Sequence, residues 1–585
     1  MTSRPRDRVL DAILPAAPIL VGLALSCAYC FCFVHRGEYV FAGSDPYYYI
    51  SIADGLLEGG PLAVRTSEPS HPVLTPQNGM VIVYALLRSL GLGAVGSVLA
   101  VTLVHHAVWV SALYPFLRLV ECAGIRGYWP KAALTVGFLA AGHLLDYQLI
   151  AATDGLYNAA SIWWVFLVHR VVFEGSEGDP AGSSRLGRIA MWTAVACLPA
   201  LAIHFRVNTL INLAAAGLSV ACLAGSWHMK RRAGAHIVVV TALALASFLV
   251  VYRGIDTSGI ASSSALYGHS IRANLSRLGY FLFRFSVRHL TRMLPQAYAF
   301  AFVGFALLCA GVGFWRRRRG VALAALGVLA CLLAILLLPS LAARVAVEPA
   351  NRLLAHTYAL AILGLLAFCM WVGWWERRSL LAFLALVLLG SMAFVVLIPG
   401  RQLILAGPRY IISTLPFLWL LAMSFRWTRP LAYAALAVVA WDAGSYVLSG
   451  DARCGTPPHF YQYVLARGYR LPTDAVLATQ QPRESYAFLG GRHQTRLCAA
   501  LRPGVERVWV VGDEAFRSER VAELRSCPGW RVASKRVVTA EFRDELGNAI
   551  LELRVRPAGH DDGASHPSAR SGPLGRHSAE GENNR

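Results

Sequence analysis

The sequence predicts a polytopic α-helical membrane protein with a small C-terminal α/β domain on the extracytoplasmic side. Three observations lead there. Of 585 residues, 56% are hydrophobic, with a mean hydropathy of +0.50. Apolar runs near the roughly 20 residues that a helix needs to cross the hydrocarbon core recur along the chain. Lys and Arg collect in alternate short connections between those runs.

Backbone amides find no water inside a bilayer, so runs of this length must satisfy themselves as helices. A barrel would show short alternating strands instead. The first span is expected at 13–34, behind the basic "MTSRPRDR". No A-x-A-like cleavage site follows, so it reads as an uncleaved anchor. Further spans are expected at 94–119, 131–149, 152–172, 188–203, 207–225, 235–252, 297–315, 320–341, 356–375, 379–399, 410–425 and 430–448, about thirteen in all. The shorter run "GMVIVYALLRSLGLG", from Gly79, is expected to lie along the interface.

Orientation follows from charge. With the N-terminus inside, the inside loops hold "GIRGYWPK", "RLGR", "HMKRR", "WRRRRG", "WERRS" and "RWTR", and every one obeys the positive-inside tendency. The formal charge of +21 is therefore a topology signal and not a nucleic-acid footprint. The expected topology is N-terminus in and C-terminal domain out. One outward loop, 253–296, is also basic: Arg277, Arg284, Arg288 and Arg292 lie along one helix face. It reads either as an interfacial helix pairing with lipid phosphates or as a loop in which Arg284 and Arg288 grip a phosphorylated substrate.

Three divisions result: a transmembrane part at 1–448 with its first outer loop at 35–93, an α/β domain at 449–556, and a disordered tail at 557–585. In the second, "DAVLATQ", "RVWVVGDEA" and "ILELRVRP" are short strand-like runs with helices expected between them. Cys454, Cys498 and Cys527 fall there, in an oxidising compartment if the topology holds. Cys498 with Cys527 is the expected bridge. Cys27 and Cys30 have C-x-x-C spacing but lie in the first span, where they read as small hydrophobes.

The chemistry-bearing residues begin at "FAGSDPYYYISIADGLLEGG", 41–60. Asp45 sits at the mouth of the first span, and Pro46 suits the first turn of a helix. That helix would place Tyr49, Ile52, Ala53 and Leu56 on one side. Asp45 reads as an N-cap or as a reactive carboxylate. Asp154, in "AATDGLYNA", opens another span, where a helix N-terminus favours a carboxylate. Tyr48 and Tyr49 suit either the membrane interface or a sugar face. Asp442, in "AVVAWDAGSYVL", is an acid near the outer end of the last span; deep in lipid it would cost roughly 2.5–3.5 kcal/mol.

Taken together, Asp45, the helix ending "LLEGG", the Pro-rich "SEPSHPVLTPQNG" at 67–79, "AATDGLYNA" at 151–159 and "PRYIISTLPFLWLLA" at 408–422 form a pattern. It resembles the GT-C membrane glycosyltransferases, which include protein O-mannosyltransferases, the lipid A aminoarabinose transferase and, more distantly, oligosaccharyltransferase catalytic subunits. The resemblance implies hexosyl or pentosyl transfer from a polyprenyl-phosphate-linked donor to a glycan, lipid or protein acceptor. It also implies a bacterial inner-membrane location, with chemistry on the outer face.

The resemblance makes Asp45 the expected general base, since a carboxylate can take the acceptor's proton. The departing phosphate needs fixed positive charge, and Arg206, Arg401 and Arg409 all lie at expected outer ends of spans; each also suits interfacial anchoring. Asp154 would orient the acceptor or share a divalent ion with Asp45, and His71 could join such a metal site. The chain departs from the pattern where Pro46 follows Asp45 in place of a second acid, which favours a single base over a metal. Two other readings stay open: oligosaccharyltransferase-like transfer of a whole glycan to protein, and a multi-span lipid or sugar transporter or flippase.

Overall fold

In a computed structural model, residues 5–41, 45–57, 78–174, 185–206, 208–222, 227–252, 362–397, 412–426, 428–449, 475–480, 497–539 and 547–558 are described, with the isolated positions 463–464, 467, 469, 471, 489 and 492–493. The spans expected at 297–315 and 320–341, the basic loop at 253–296 and the tail lie outside the described residues, apart from the tail's first two residues.

The helices follow the apolar runs closely. In order they are α1 (Pro5–His35), α2 (Glu38–Phe41), α3 (Asp45–Leu57), α4 (Asn78–Ser89), α5 (Ala94–Ser111), α6 (Leu113–Cys122), α7 (Tyr128–Ala140), α8 (Gly142–Leu149), α9 (Thr153–Val168), α10 (Arg185–Ala202), α11 (Thr209–Ser219) and α12 (Trp227–Tyr252). Beyond them come α13 (Ile362–Trp375), α14 (Ser379–Leu397), α15 (Leu415–Ser424) and α16 (Arg429–Ser449). Among the described residues, four stretches are long and apolar enough to cross a membrane: Ala16–His35, Ala94–Cys122, Thr153–Phe173 and Trp227–Val250.

The run at 131–149 divides into α7 and α8 because Ala141 adopts an extended conformation, φ −76° and ψ 102°. An alanine carries no sequence signal for such a break. α8 is thereby free to take its own direction, and it carries two buried polar side chains, Asp146 and Gln148.

Contacts divide the chain into two compact units. The first holds residues 1–36, 75–80 and 101–451; the second holds 37–74, 81–100 and 452–585. In the first, α1, α7, α8 and α16 pack together, and α9 packs against α6, α8, α10 and α11. Gly137 on α7 has Leu436 of α16 against the position a Cβ would take; small residues allow such close helix approach. Trp109, Phe116 and Phe138 stack at centroid distances of 4.3 and 4.6 Å. α9 is apolar or small on nearly every face and is buried accordingly.

The second unit contains a five-stranded sheet: β1 (Val476–Thr479), β2 (Arg492–His493), β3 (Arg507–Gly512), β4 (Trp530–Val537) and β5 (Ala549–Pro557). The spatial order is β2-β1-β3-β5-β4, parallel across β2, β1 and β3 and antiparallel from β3 through β5 to β4. The three runs read as strands form β1, β3 and β5. Their buried valines and leucines join Leu497 of α17 (Leu497–Ala500) and Leu524 of α18 (Glu514–Arg525) in one core. The expected Cys498–Cys527 disulfide is formed, while Cys27 and Cys30 are free.

Asp513 caps α18, its carboxylate accepting from the Phe516 N–H at 2.8 Å. That bond, followed by one from the Gln480 side chain, lowers its pKa from the ordinary carboxylate value. A lowered folded-state pKa contributes stability above the unfolded value, lost as pH falls through the folded one. Asp513→Ala is expected to destabilise the sheet region by about 1 kcal/mol at neutral pH, and the loss should shrink on acidification, as followed by denaturant unfolding.

Candidate functional site

In the first unit the site is built on the start of α9. The chain between α8 and α9 is short and extended at Ile150 and Ala152. Ala152 occupies the N-cap position and has no side-chain oxygen to offer, so the cap is not made by Asp154. Asp154, in the first turn, is instead ion-paired through Oδ1 with the Arg206 guanidinium. Arg206 comes from the turn after α10, where its amide donates to the Ala202 carbonyl at 2.9 Å. Its own carbonyl accepts from the Thr209 hydroxyl at 2.8 Å, which ties it to the start of α11.

Both charges are buried, Asp154 at 1% and Arg206 at 4% exposure. Removing two charges from water is expensive and is tolerated only when they are paired. Around them lies a polar lining unusual for apolar helices. Gln148 of α8 donates to the carbonyls of His105, at 3.1 Å, and Gly155, at 2.7 Å. Asn158, one turn beyond Asp154 on the same face, donates to Gln148 at 3.4 Å. Nδ1 of His105 lies 3.2 Å from the Ile150 carbonyl. Among the described residues, Thr153 Oγ1, Asn158 Oδ1, Asn208 Oδ1 and His105 Nε2 are buried without a hydrogen-bond partner. Such orphaned atoms are costly in an apolar interior and mark a place suited to a polar ligand.

The same short α8 also serves a second group that the sequence reading missed. Residues two apart on a helix point about 200° apart, so Asp146 faces away from Gln148. Its carboxylate accepts from the hydroxyl of Tyr29 on α1. Tyr29 packs on Tyr446 of α16 at 4.2 Å, and Arg36 lies 4.5 Å over the Tyr446 ring and donates to its carbonyl. Asp442, one turn before Tyr446, is buried too. The signal for Asp146 was present: an acid inside an apolar run, as with Asp442.

In the second unit, α3 is the helix expected after the first span, with Tyr49, Ile52 and Ala53 buried and Leu56 partly so. Asp45 is partly exposed at its first residue. Tyr47 donates to the Val40 carbonyl at 2.6 Å, and Tyr49 stacks on Tyr84 of α4 at 6.5 Å. Burial pushes the Tyr84 phenol well up, and Tyr47, Tyr49 and Asp45 add to the shift. Arg88 closes the group with two bonds to Asp54, at 2.7 and 3.2 Å.

The structure thus brings Asp154 and Arg206 together, and places Asp45 at the start of the helix that carries Tyr47 and Tyr49. The Tyr48 side chain, His71, Arg284, Arg288, Arg401 and Arg409 lie outside the described residues. Among the described residues, the one grouping of three metal-capable side chains is Cys122, His169 and Glu174, not Asp154.

No family model matches the chain, and no curated protein matches it. Solved structures similar to it include ArnT from Cupriavidus metallidurans in the apo state, at 12% identity and a TM-score of 0.39 over 94% of this chain and 98% of that one. The same protein bound to undecaprenyl phosphate gives 12% and 0.40 over 92% and 97%. The Archaeoglobus fulgidus oligosaccharyltransferase in the apo form gives 11% and 0.45 over 87% and 71%. Both proteins are GT-C glycosyltransferases.

Proposed function

We propose that the chain is an integral-membrane glycosyltransferase that moves a sugar from a polyprenyl-phosphate-linked donor to an envelope acceptor. In this reading it has about thirteen spans, with its N-terminus in the cytoplasm and its chemistry on the outer face of the inner membrane. The observation that carries the proposal is the buried Asp154–Arg206 pair, flanked by orphaned polar atoms in helices that are otherwise apolar. Ionisable groups kept at such a cost inside a membrane bundle mark function.

The proposed reaction is a displacement at the anomeric carbon. The acceptor hydroxyl oxygen forms the new bond to that carbon, the bond to the donor phosphate oxygen breaks, and the acceptor proton passes to the base. Asp45 takes the proton, since its carboxylate stands partly exposed at a helix start. Arg206 meets the phosphate, because a guanidinium can grip it through two hydrogen bonds. Asp154 is then a positioning residue that holds the guanidinium plane.

Release of polyprenyl phosphate from a polyprenyl-phosphate sugar, measured with the purified chain in lipid nanodiscs, tests this. Asp45→Asn is expected to lower turnover by about 10²–10⁴-fold. Unchanged turnover would remove Asp45 as the base. Movement of the donor across the bilayer without any transfer would favour a transporter.

A further inference from the structure

The other end of α9 carries a cluster that the proposed reaction does not use. After Val168 the helix widens into a π-turn, His169–Phe173, closed by the Glu174 amide donating to the His169 carbonyl five residues back. In an α-helix, residues five apart would point about 140° apart; the wider turn brings them onto one side. His169 Nε2 accordingly lies 3.4 Å from Glu174 Oε1. The last residue of α6 completes the set: Cys122 Sγ is 3.5 Å from the same oxygen, and the three donor atoms lie within 4.8 Å of one another.

We infer that Cys122, His169 and Glu174 form a Zn²⁺ site that ties the end of α6 to the end of α9. Zn²⁺ bonds of about 2.0–2.3 Å place tetrahedral ligands roughly 3.3–3.7 Å apart, and two of the three separations already fall in that range. Sulfur and imidazole donors select Zn²⁺ over Mg²⁺ or Ca²⁺, which prefer all-oxygen shells. Thiolate and carboxylate together neutralise a divalent charge. Arg170 holds the other oxygen, Oε2, of Glu174, which fixes Oε1 toward the sulfur and the imidazole; partners of this kind orient metal ligands. His169 is buried while Cys122 is exposed, so an ion can enter from the α6 side, and water completes the fourth position. π-turns of one turn often sit at functional sites. The chain on either side runs into the loops that the sequence assigns to the cytoplasm, so this site is independent of the glycosyl-transfer reading.

The test is metal binding by the full chain, stripped with chelator and re-equilibrated with Zn²⁺ or, for its spectrum, Co²⁺. The expected result is one ion per chain and a thiolate-to-cobalt charge-transfer band. Cys122→Ser should abolish the band, and Glu174→Gln should weaken Zn²⁺ binding by at least about 100-fold, more than loss of an outer partner costs. The other free thiols among the described residues, Cys27, Cys30, Cys32, Cys197 and Cys369, stay in both variants and serve as internal controls. No Zn²⁺ uptake by the unaltered chain, uptake unchanged in Glu174→Gln, or a band that survives Cys122→Ser would each overturn the site. Should Cys122→Ser fail to fold, His169→Asn with Glu174→Gln reads the same outcome.

Discussion

Arg206→Ala is expected to abolish transfer from a lipid-linked sugar and to destabilise the first unit by about 3–5 kcal/mol, because it removes the opposite charge paired with the buried Asp154 carboxylate. Loss of fold and loss of function would then coincide, so the informative variant replaces both partners. Arg206→Met with Asp154→Leu removes the two charges together. Replacing a buried pair by apolar residues of similar size is often neutral for stability, or even stabilising. Thermal unfolding of the double variant should therefore return to near the parental value while turnover stays at background. If turnover returned with stability, the pair would be structural and the phosphate role would fall to another cation. Asp154→Asn separates positioning from contact. It keeps the side-chain shape but not the charge, and is expected to raise the KM for the donor more than it lowers kcat.

The second large effect is expected at Gly155. A Cβ there would stand 2.5 Å from Cγ and 2.7 Å from Cε1 of the His105 ring, which is fully buried. His105 is held in turn by Ile150, and Gln148 bridges its carbonyl to that of Gly155, so the ring has no easy retreat. Helix propensity alone would favour alanine over glycine by about 1 kcal/mol. Overpacking of this kind costs about 1–3 kcal/mol, and the first turn of α9 must shift, carrying Asp154 with it. A displacement near 1 Å can cost on the order of 100-fold in rate. Gly155→Ala is thus expected to lower both the unfolding midpoint and turnover, with partial rescue of both by His105→Ala. A more stable Gly155→Ala variant would show that the close approach does not exist.

How much of this was legible in the sequence depends on distance along the chain. Apolar length and period gave the helices, because lipid leaves the backbone no other choice. The valine-rich runs gave β1, β3 and β5 for a similar reason: each is buried along most of its length. β4 was not foreseen, since its residues are mostly exposed and carry no apolar alternation. Asp154 and Arg206 were each singled out, yet their pairing was not, because 52 residues separate them and neither neighbourhood points at the other. The Zn²⁺ donors were invisible for a different reason. His169 and Glu174 have no helical spacing in common until the backbone widens between them.

The cystine joining α17 to the end of α18 has a consequence for biogenesis. Its closure spans 29 residues of sequence, and a loop of that size restricts the unfolded chain by roughly 3–4 kcal/mol in the chain-entropy model. Such bonds persist where thiols are oxidised and are rare in the cytosol. In the topology proposed above, the sheet would mature fully only after translocation to an oxidising milieu, and the oxidation state of Cys498 and Cys527 in intact cells tests on which side of the bilayer it ripens.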